Sequence, residues 1–332
     1  MVAFTRRRFI GLSFASVVLL CTACGSHRQE AIAVVPQTES VMAWEVAHAG
    51  VEAAAASTGV SVYWSAPSRE DDVEAQVALV DRIIESRHYQ GLVLAPDQAL
   101  ALISPVQRAL NHGIATVVIG SPLPIPAGKK LSYIVNDDDY GGRLAAERVA
   151  RILHGHGTVA VLGINPDITG IMVRARAFER VLAQIAPGIR VVEKRMGSFN
   201  VSHEQQVAEE VLRANPSLDA IVALMWTTID GSLSALDSSR PKRRVHVIGF
   251  EIADLPPFSE QQNLDSVVQA DTRSMGYRAV ELLHARALGE PVPAMVRLHP
   301  TLITRENVDT PEVRQMLSQD WKSRSREGSS EQ

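Results

Sequence analysis

The chain has 332 residues and a formal net charge of −4, with 46% apolar and 21% charged residues. These are globular proportions, and a balance tilted to acid excludes a cationic surface for nucleic acid. Its two cysteines are Cys21 and Cys24, which excludes a disulfide framework, cysteine metal sites and thiol catalysis in the remaining chain.

The chain opens on Arg6-Arg7-Arg8, followed by an apolar run centred on Ile10 to Leu20 and then Cys21-Thr22-Ala23-Cys24-Gly25. A basic start, a short apolar middle and small residues before a cleavage point read as an export signal over residues 1–24. The run is too short to span a bilayer as a helix. Cys24 after Thr22-Ala23 resembles a bacterial lipobox, which implies lipidation at Cys24. Thr5 to Ile10 also resembles a twin-arginine signal, so two export routes stay open. Residues 25–30 form a polar tether.

From Ala31 a β-branched run and an amphipathic helix alternate. Strands are predicted at Ala31–Val35, Val60–Trp64, Gly91–Ala95 and Ala115–Ile119, with helices at Val41–Thr58, Asp71–Ser86 and Ala99–Asn111. In the second helix Val73, Val77, Val80 and Ile84 fall on one face. Ser121–Lys130, with three prolines and a glycine, must be a loop, and Leu131–Val135 returns to strand. The alternation then runs again: helix from Tyr140 to Leu153, strand Thr158–Leu162, helix Val173–Ile185 and strand Arg190–Arg195, then helix Ser202–Ala214, strand Ala220–Leu224, helix Thr227–Leu236 and strand Val245–Phe250. A short strand Ser266–Gln269, a helix Thr272–Leu288 and a strand near Val296–Leu302 complete the two halves. Past Pro311 the polar tail predicts a frayed helix and then disorder. The fold class is α/β, with two doubly wound parallel-sheet lobes.

Several residues invite chemistry. Gly155-His156-Gly157 precedes a strand rather than following one, so it reads as a turn and not a dinucleotide loop. His154 and His156 lack a third metal ligand. No nucleophile elbow or phosphate loop is present. Asp137-Asp138-Asp139 sits where a helix begins and reads as its cap, with Gly141 and Gly142 permitting close packing behind it. Trp44 and Trp226 lie where a strand's end meets the next helix, the edge at which open α/β sheets bind ligands. Their rings suit sugar faces or cations, or else the core. Asp97, Glu251 and Gln269 close strands at the same edge, where polar groups meet hydroxyls or a cation. Asp97 could instead cap the next helix.

In this order and spacing, Ala31–Val35, Gly91 to Asp97, Ala115–Ile119, Asn136 to Gly142, Arg174 to Phe178, Val247 to Glu251 and Ser266–Gln269 resemble the type I periplasmic substrate-binding proteins of ABC transporters, notably the ribose-binding group, over residues 31 to 305. The resemblance implies an N-terminal lobe of residues 31–136 plus 270–298 and a C-terminal lobe of residues 137–269 plus 299–308, with a polar tail at 309–332. Three crossovers join the lobes near Val135–Asp138, Gln269–Asp271 and Leu298–Thr301. Ligand lies in the cleft between them. Matching positions put Trp44 and Asp97 on the first lobe's side, Arg174, Phe199-Asn200, Met225, Trp226 and Glu251 on the second, and Gln269 at the hinge. The pattern also departs from that group: Met225-Trp226 replaces an asparagine-aspartate pair, Glu251 an aspartate, and Met172 the arginine that grips sugar hydroxyls. Arg174 is then either a ligand contact or structural. The pocket is expected to be less polar and more aromatic than a pentose site, open to deoxy, methylated, aromatic or cationic ligands.

The function so implied is capture of a sugar or sugar-like compound by lobe closure and delivery to an ABC permease. The protein would be a non-enzymatic monomer without cofactor, lipid-anchored in the periplasm or at the cell surface. A sensory receptor of the same fold is the alternative.

Overall fold

The computed structural model describes residues 1, 31–39, 42–69, 72–252, 258 and 260–320. The export signal, Cys24 and the tether lie outside them.

Two six-stranded sheets repeat one plan. In the first, β1 (Ala31–Val35), β2 (Ser61–Trp64), β3 (Gly91–Leu94), β4 (Ala115–Ile119) and β5 (Leu131–Asn136) take the order β2-β1-β3-β4-β5, all parallel. In the second, β6 (His156–Ile164), β7 (Gly188–Met196), β8 (Ala220–Ala223), β9 (His246–Phe250) and β10 (Leu264–Gln269) take the same order, β7-β6-β8-β9-β10. This is a doubly wound arrangement whose ligand edge is the carboxyl end of the strands. The sixth strands come from the end of the chain. β11 (Met295–Leu298) lies parallel to β5, and β12 (Thr301–Thr304) lies antiparallel to β10.

Burial on both faces explains the β-branched runs. In β1, Ile32 and Val34 face helices α1 (Met42–Thr58) and α8 (Thr272–Ala287), while Ala33 and Val35 face α2 (Val73–Ser86) and α3 (Ile103–Asn111). The second sheet is covered likewise, by α4 (Asp138–Ile152) and α5 (Thr169–Ile185) on one face and by α6 (Val201–Ala214) and α7 (Trp226–Ser239) on the other.

Each sheet lends a helix to the other. The chain leaves β5 of the first sheet into α4, which packs on the second. It leaves β10 of the second into α8, which packs against α1 on the first. The third crossing is β11 to β12 through His299-Pro300. At one of these shared contacts, α4 against α5, a side chain at Gly142 would overlap the Arg174 carbonyl, so glycine sets how closely the helices approach.

Three expectations need correction. The strand predicted near Val296–Leu302 is two strands in different sheets, broken at Pro300, which has no N–H to donate. His156 and Gly157 are already strand, because pairing with β7 begins at His156 opposite Gly188. The helix after Pro311, α9 (Pro311–Met316), is not frayed: Thr310 caps it, and Val313 and Met316 are buried in the second sheet's core. In addition, α3 begins at Ile103, four residues after the predicted Ala99.

Candidate ligand-binding cleft

The strongest polar constellation at the strands' carboxyl edge centres on Arg174. Its residue is 6% exposed. From α5 its Nε donates to Asp138 Oδ1 at 2.9 Å, Nη2 to Glu251 Oε1 at 2.8 Å, and Nη1 to the Leu224 carbonyl at 3.4 Å. The guanidinium lies 5.0 Å from the centre of the Phe250 ring. Burial works against its charge, but the Asp138 and Glu251 carboxylates outweigh that and hold it protonated. Arg174 is thereby fully committed to the protein, in favour of the structural alternative. Asp137, one residue before Asp138, caps α4 by accepting from the Tyr140 N–H at 3.0 Å, so of the aspartate run only the capping expected of Asp137 is observed. Asp138 belongs to the Arg174 constellation instead.

Glu251 follows β9 with φ of 55°, a left-handed backbone that a non-glycine residue adopts at a cost. Its N–H still bonds the Val268 carbonyl. Its side chain is 42% exposed, so one carboxylate oxygen holds Arg174 while the group remains open to solvent. Gln269 is 3% exposed and its Oε1 accepts from the Ile252 N–H at 3.0 Å. It fixes the chain that follows Glu251 and presents no open group. Asn136, Asp138, Arg174, Phe250, Glu251 and Ala270 meet around a cavity of about 10 Å³, room for about one water molecule.

Trp226 is the first residue of α7 and is partly exposed. The preceding Met225 points the other way. It is 4% exposed within the core, its methyl beside Gly197, so packing claims the side chain that was expected to line the pocket. Phe199 is 40% exposed in the loop between β7 and α6, and Asn200 caps α6 through His203 N–H. That loop is held by a residue whose place in the chain carries no sign of a role. Glu204, 1% exposed, accepts from the Ser198 N–H at 2.6 Å and the Thr228 hydroxyl at 2.7 Å. The Thr227 hydroxyl adds a bond to the Ser198 carbonyl. Phe199 and Trp226 are thus tied to one buried carboxylate.

On the first sheet, Trp44 packs partly against the core, with the far edge of its ring beside Gly120 at the end of β4. Asp97 does not cap α3, whose cap position is Leu102. Its N–H bonds the side chain of buried Gln76.

A periplasmic binding protein domain model matches residues 32–291. The chain belongs to the periplasmic binding protein family. Its two parallel-sheet lobes are those of the type I fold. Curated relatives include the D-allose-binding periplasmic protein of Escherichia coli, 26% identical over 270 residues, which covers 79% of this chain and 86% of that protein. The D-ribose/D-allose-binding protein of Pseudomonas aeruginosa is 27% identical over 186 residues, 55% of this chain and 57% of that protein. Among solved structures, a periplasmic solute-binding protein of an ABC transporter from Actinobacillus succinogenes, with bound D-allose, superposes with a TM-score of 0.77 at 21% identity, covering 84% of this chain and 98% of that one.

A cavity of about 730 Å³ lies elsewhere on this binding protein. Arg240, Lys242, Arg243, Arg244 and Arg305 surround it where β9 and β10 begin. That is the amino edge of the second sheet, remote from the edge at which this fold takes ligands. Among the described residues, no group of three or more His, Cys, Asp or Glu could hold a metal, and no helix is long and apolar enough to cross a membrane.

Proposed function

We propose that this binding protein captures a sugar or sugar-like molecule between lobes made of residues 31–136 plus 270–298 and residues 137–269 plus 299–308, and delivers it to an ABC permease. The family match across residues 32–291 carries the reading, and relatives named for D-allose and D-ribose set the ligand class. Trp226, Phe199 and Glu251 on one edge and Trp44 and Asp97 on the other supply apolar faces and hydrogen-bond acceptors, the combination a pyranose ring requires. Arg174 and Gln269 position Glu251 rather than touch ligand.

Function here is binding without turnover. An open form exchanges with a closed one, and a ligand that touches both lobes only when closed draws the population over by its differential affinity. The closed form is the one a permease recognises. The protein acts outside the cytoplasm, held to a membrane by lipid on Cys24, as a monomer without cofactor.

The test is a thermal-shift screen over sugars, polyols, nucleosides and amines, followed by calorimetry. Binding to the native state alone raises the melting temperature with ligand concentration. Trp226→Ala should weaken the hit tenfold or more while leaving the ligand-free melting temperature within a few degrees. A screen in which no sugar or polyol shifts melting would refute the reading.

A further inference from the structure

The charge at the cleft edges is lopsided. Consider the connections that lead from a strand's carboxyl end into the following helix in both sheets. Among the described residues they carry Glu39, Asp72, Asp97, Asp137, Asp167 and Asp271, and a single lysine or arginine, Arg69. That cation is already paired with Asp72 at 3.1 Å. By sequence, residues 252–263 after β9 hold Asp254 and Glu260 and no lysine or arginine. Of the helix-borne cations, Arg273 of α8 is spent on Asp320 and the Ser318 carbonyl, Arg174 on Asp138 and Glu251, and Arg143 of α4 lies over the Tyr140 ring. Lys129 and Lys130 lie at the opposite edge, where Lys130 approaches Gly113 before β4.

Some of this acidity is compensated locally. Asp72, Asp137 and Asp271 cap helices, whose positive ends offset their charge. Glu251 caps nothing. Arg174 brings one positive charge to two carboxylates, Asp138 and Glu251, so the trio keeps one surplus negative charge, and Glu251, its side chain 42% exposed, is the more open of the two. Closing the lobes takes this carboxylate further out of water with only a shared guanidinium to balance it, a cost that a second cation would offset. A neutral hydroxyl brings a hydrogen bond but no charge. An ammonium brings both, and a hydrogen bond between ionised partners is roughly twice as strong as a neutral one. The ring faces of Trp226 and Trp44 favour the same sign of charge.

From this surplus, and resting on the sugar-binding reading above, we propose that the cleft selects a cationic carbohydrate: an amine-bearing sugar or polyol whose ammonium pairs with Glu251. The lobes then close on a neutral set of charges, with the hydroxyls taken by the remaining acceptors.

Matched pairs test this by calorimetry on the purified chain at pH 7: D-glucosamine against D-glucose, D-galactosamine against D-galactose, and D-glucamine against D-sorbitol. In at least one pair the amine should bind tenfold tighter or more, a difference of about 1.4 kcal/mol. The preference should shrink as salt rises, and should vanish at a pH where the ammonium is deprotonated. Glu251→Gln keeps a carbonyl oxygen for Arg174 and should reduce the preference to threefold or less. The pH and salt arms need no variant, so they stand even if that one folds poorly. Neutral partners that bind as well as their amines in every pair would overturn the inference and leave the sugar reading intact. Absence of binding by both members of every pair would overturn the inference, while the sugar reading answers to the broader screen above. A preference unchanged in Glu251→Gln would overturn the assignment to Glu251.

Discussion

Replacing Arg174 with methionine is the sharpest probe of how the cleft floor is built. The guanidinium is bonded to Asp138 at 2.9 Å and to Glu251 at 2.8 Å. Methionine keeps the apolar stem and removes the charge, leaving two carboxylates on one side of a near-buried gap. Removing one partner of a buried ion pair costs about 3–5 kcal/mol. Asp138, with its side chain 19% exposed, bears most of that. Glu251 is more than two-fifths open and regains water, so its share is screened and small. The Leu224 carbonyl contact, at 3.4 Å, adds little. The expected loss is therefore about 3 kcal/mol, a large part of a domain's typical total of about 5–15 kcal/mol. Asp138→Asn in the same chain removes the stranded charge, so the double variant should recover about 2 kcal/mol of the loss. Urea unfolding followed by circular dichroism reads both values, provided each variant shows a single transition of unchanged slope. A single variant within about 0.5 kcal/mol of the parent, or a double variant no better than the single, would refute the claim that a buried ion pair organises this site.

Gly142→Ala should destabilise by about 2 kcal/mol or more, because the added methyl overlaps the Arg174 backbone and forces α4 from α5; a melting temperature unchanged within a degree would contradict that packing. Burial pushes the Asp265 carboxyl up, but the His246 ring and the Arg148 guanidinium outweigh it and hold it far below the usual carboxylate range. A depressed folded-state value gives stability that is present above the unfolded value of about 3.9 and lost as pH falls below it. Asp265→Asn should thus cost about 3 kcal/mol at pH 7, and its stability curve should approach the parent's as the pH nears 2; parallel curves from pH 7 downward would exclude the linkage. Glu204→Gln should loosen the loop bearing Phe199 and weaken ligand binding severalfold with little change at Trp44, read by calorimetry and by amide exchange in residues 197–200; unaltered exchange there would show that the carboxylate does not hold the loop. Cys24→Ser should move the protein from the membrane fraction to the soluble one, and retention in the membrane would count against lipidation.

Much of the architecture was legible because parallel strands buried on both faces must be apolar throughout, and the intervening helices show a one-sided period. β4 was read to the residue. The reading failed where a local pattern served two distant partners. Val296 to Leu302 reads as one short strand to the eye, yet its halves pair with β5 and β10, strands from different sheets. Pro300 was the available sign. Val313 and Met316 looked like tail residues because nothing near them in sequence shows what they pack on. The site was legible in its addresses, the strand ends, and less so in its roles. Trp226 and Glu251 sit at the edge as expected. Met225 turns inward because, at the cap position before α7, adjacent side chains diverge. Arg174 could not be assigned from sequence, since Asp138 and Glu251, 36 and 77 residues away, meet it only once α4, α5 and β9 are assembled. Glu204 gave no signal: a glutamate in a helix's first turn is ordinary, and its burial depends on Thr228 of the next helix.

The lending of α4 and α8 between the sheets has a consequence for how the molecule can be divided. Cutting after Asn136 would yield a fragment that keeps α1 but lacks α8, the other helix covering Ile32 and Val34, and the strand that borders β5. That greasy face would be half uncovered, and the fragment should aggregate. The complementary fragment would keep α4 but carry α8 with nothing to rest on. Each half is a tenant of the other's chain, so the protein should assemble only once synthesis has passed Leu298, and a nick anywhere before the last crossing should leave two pieces that remain associated.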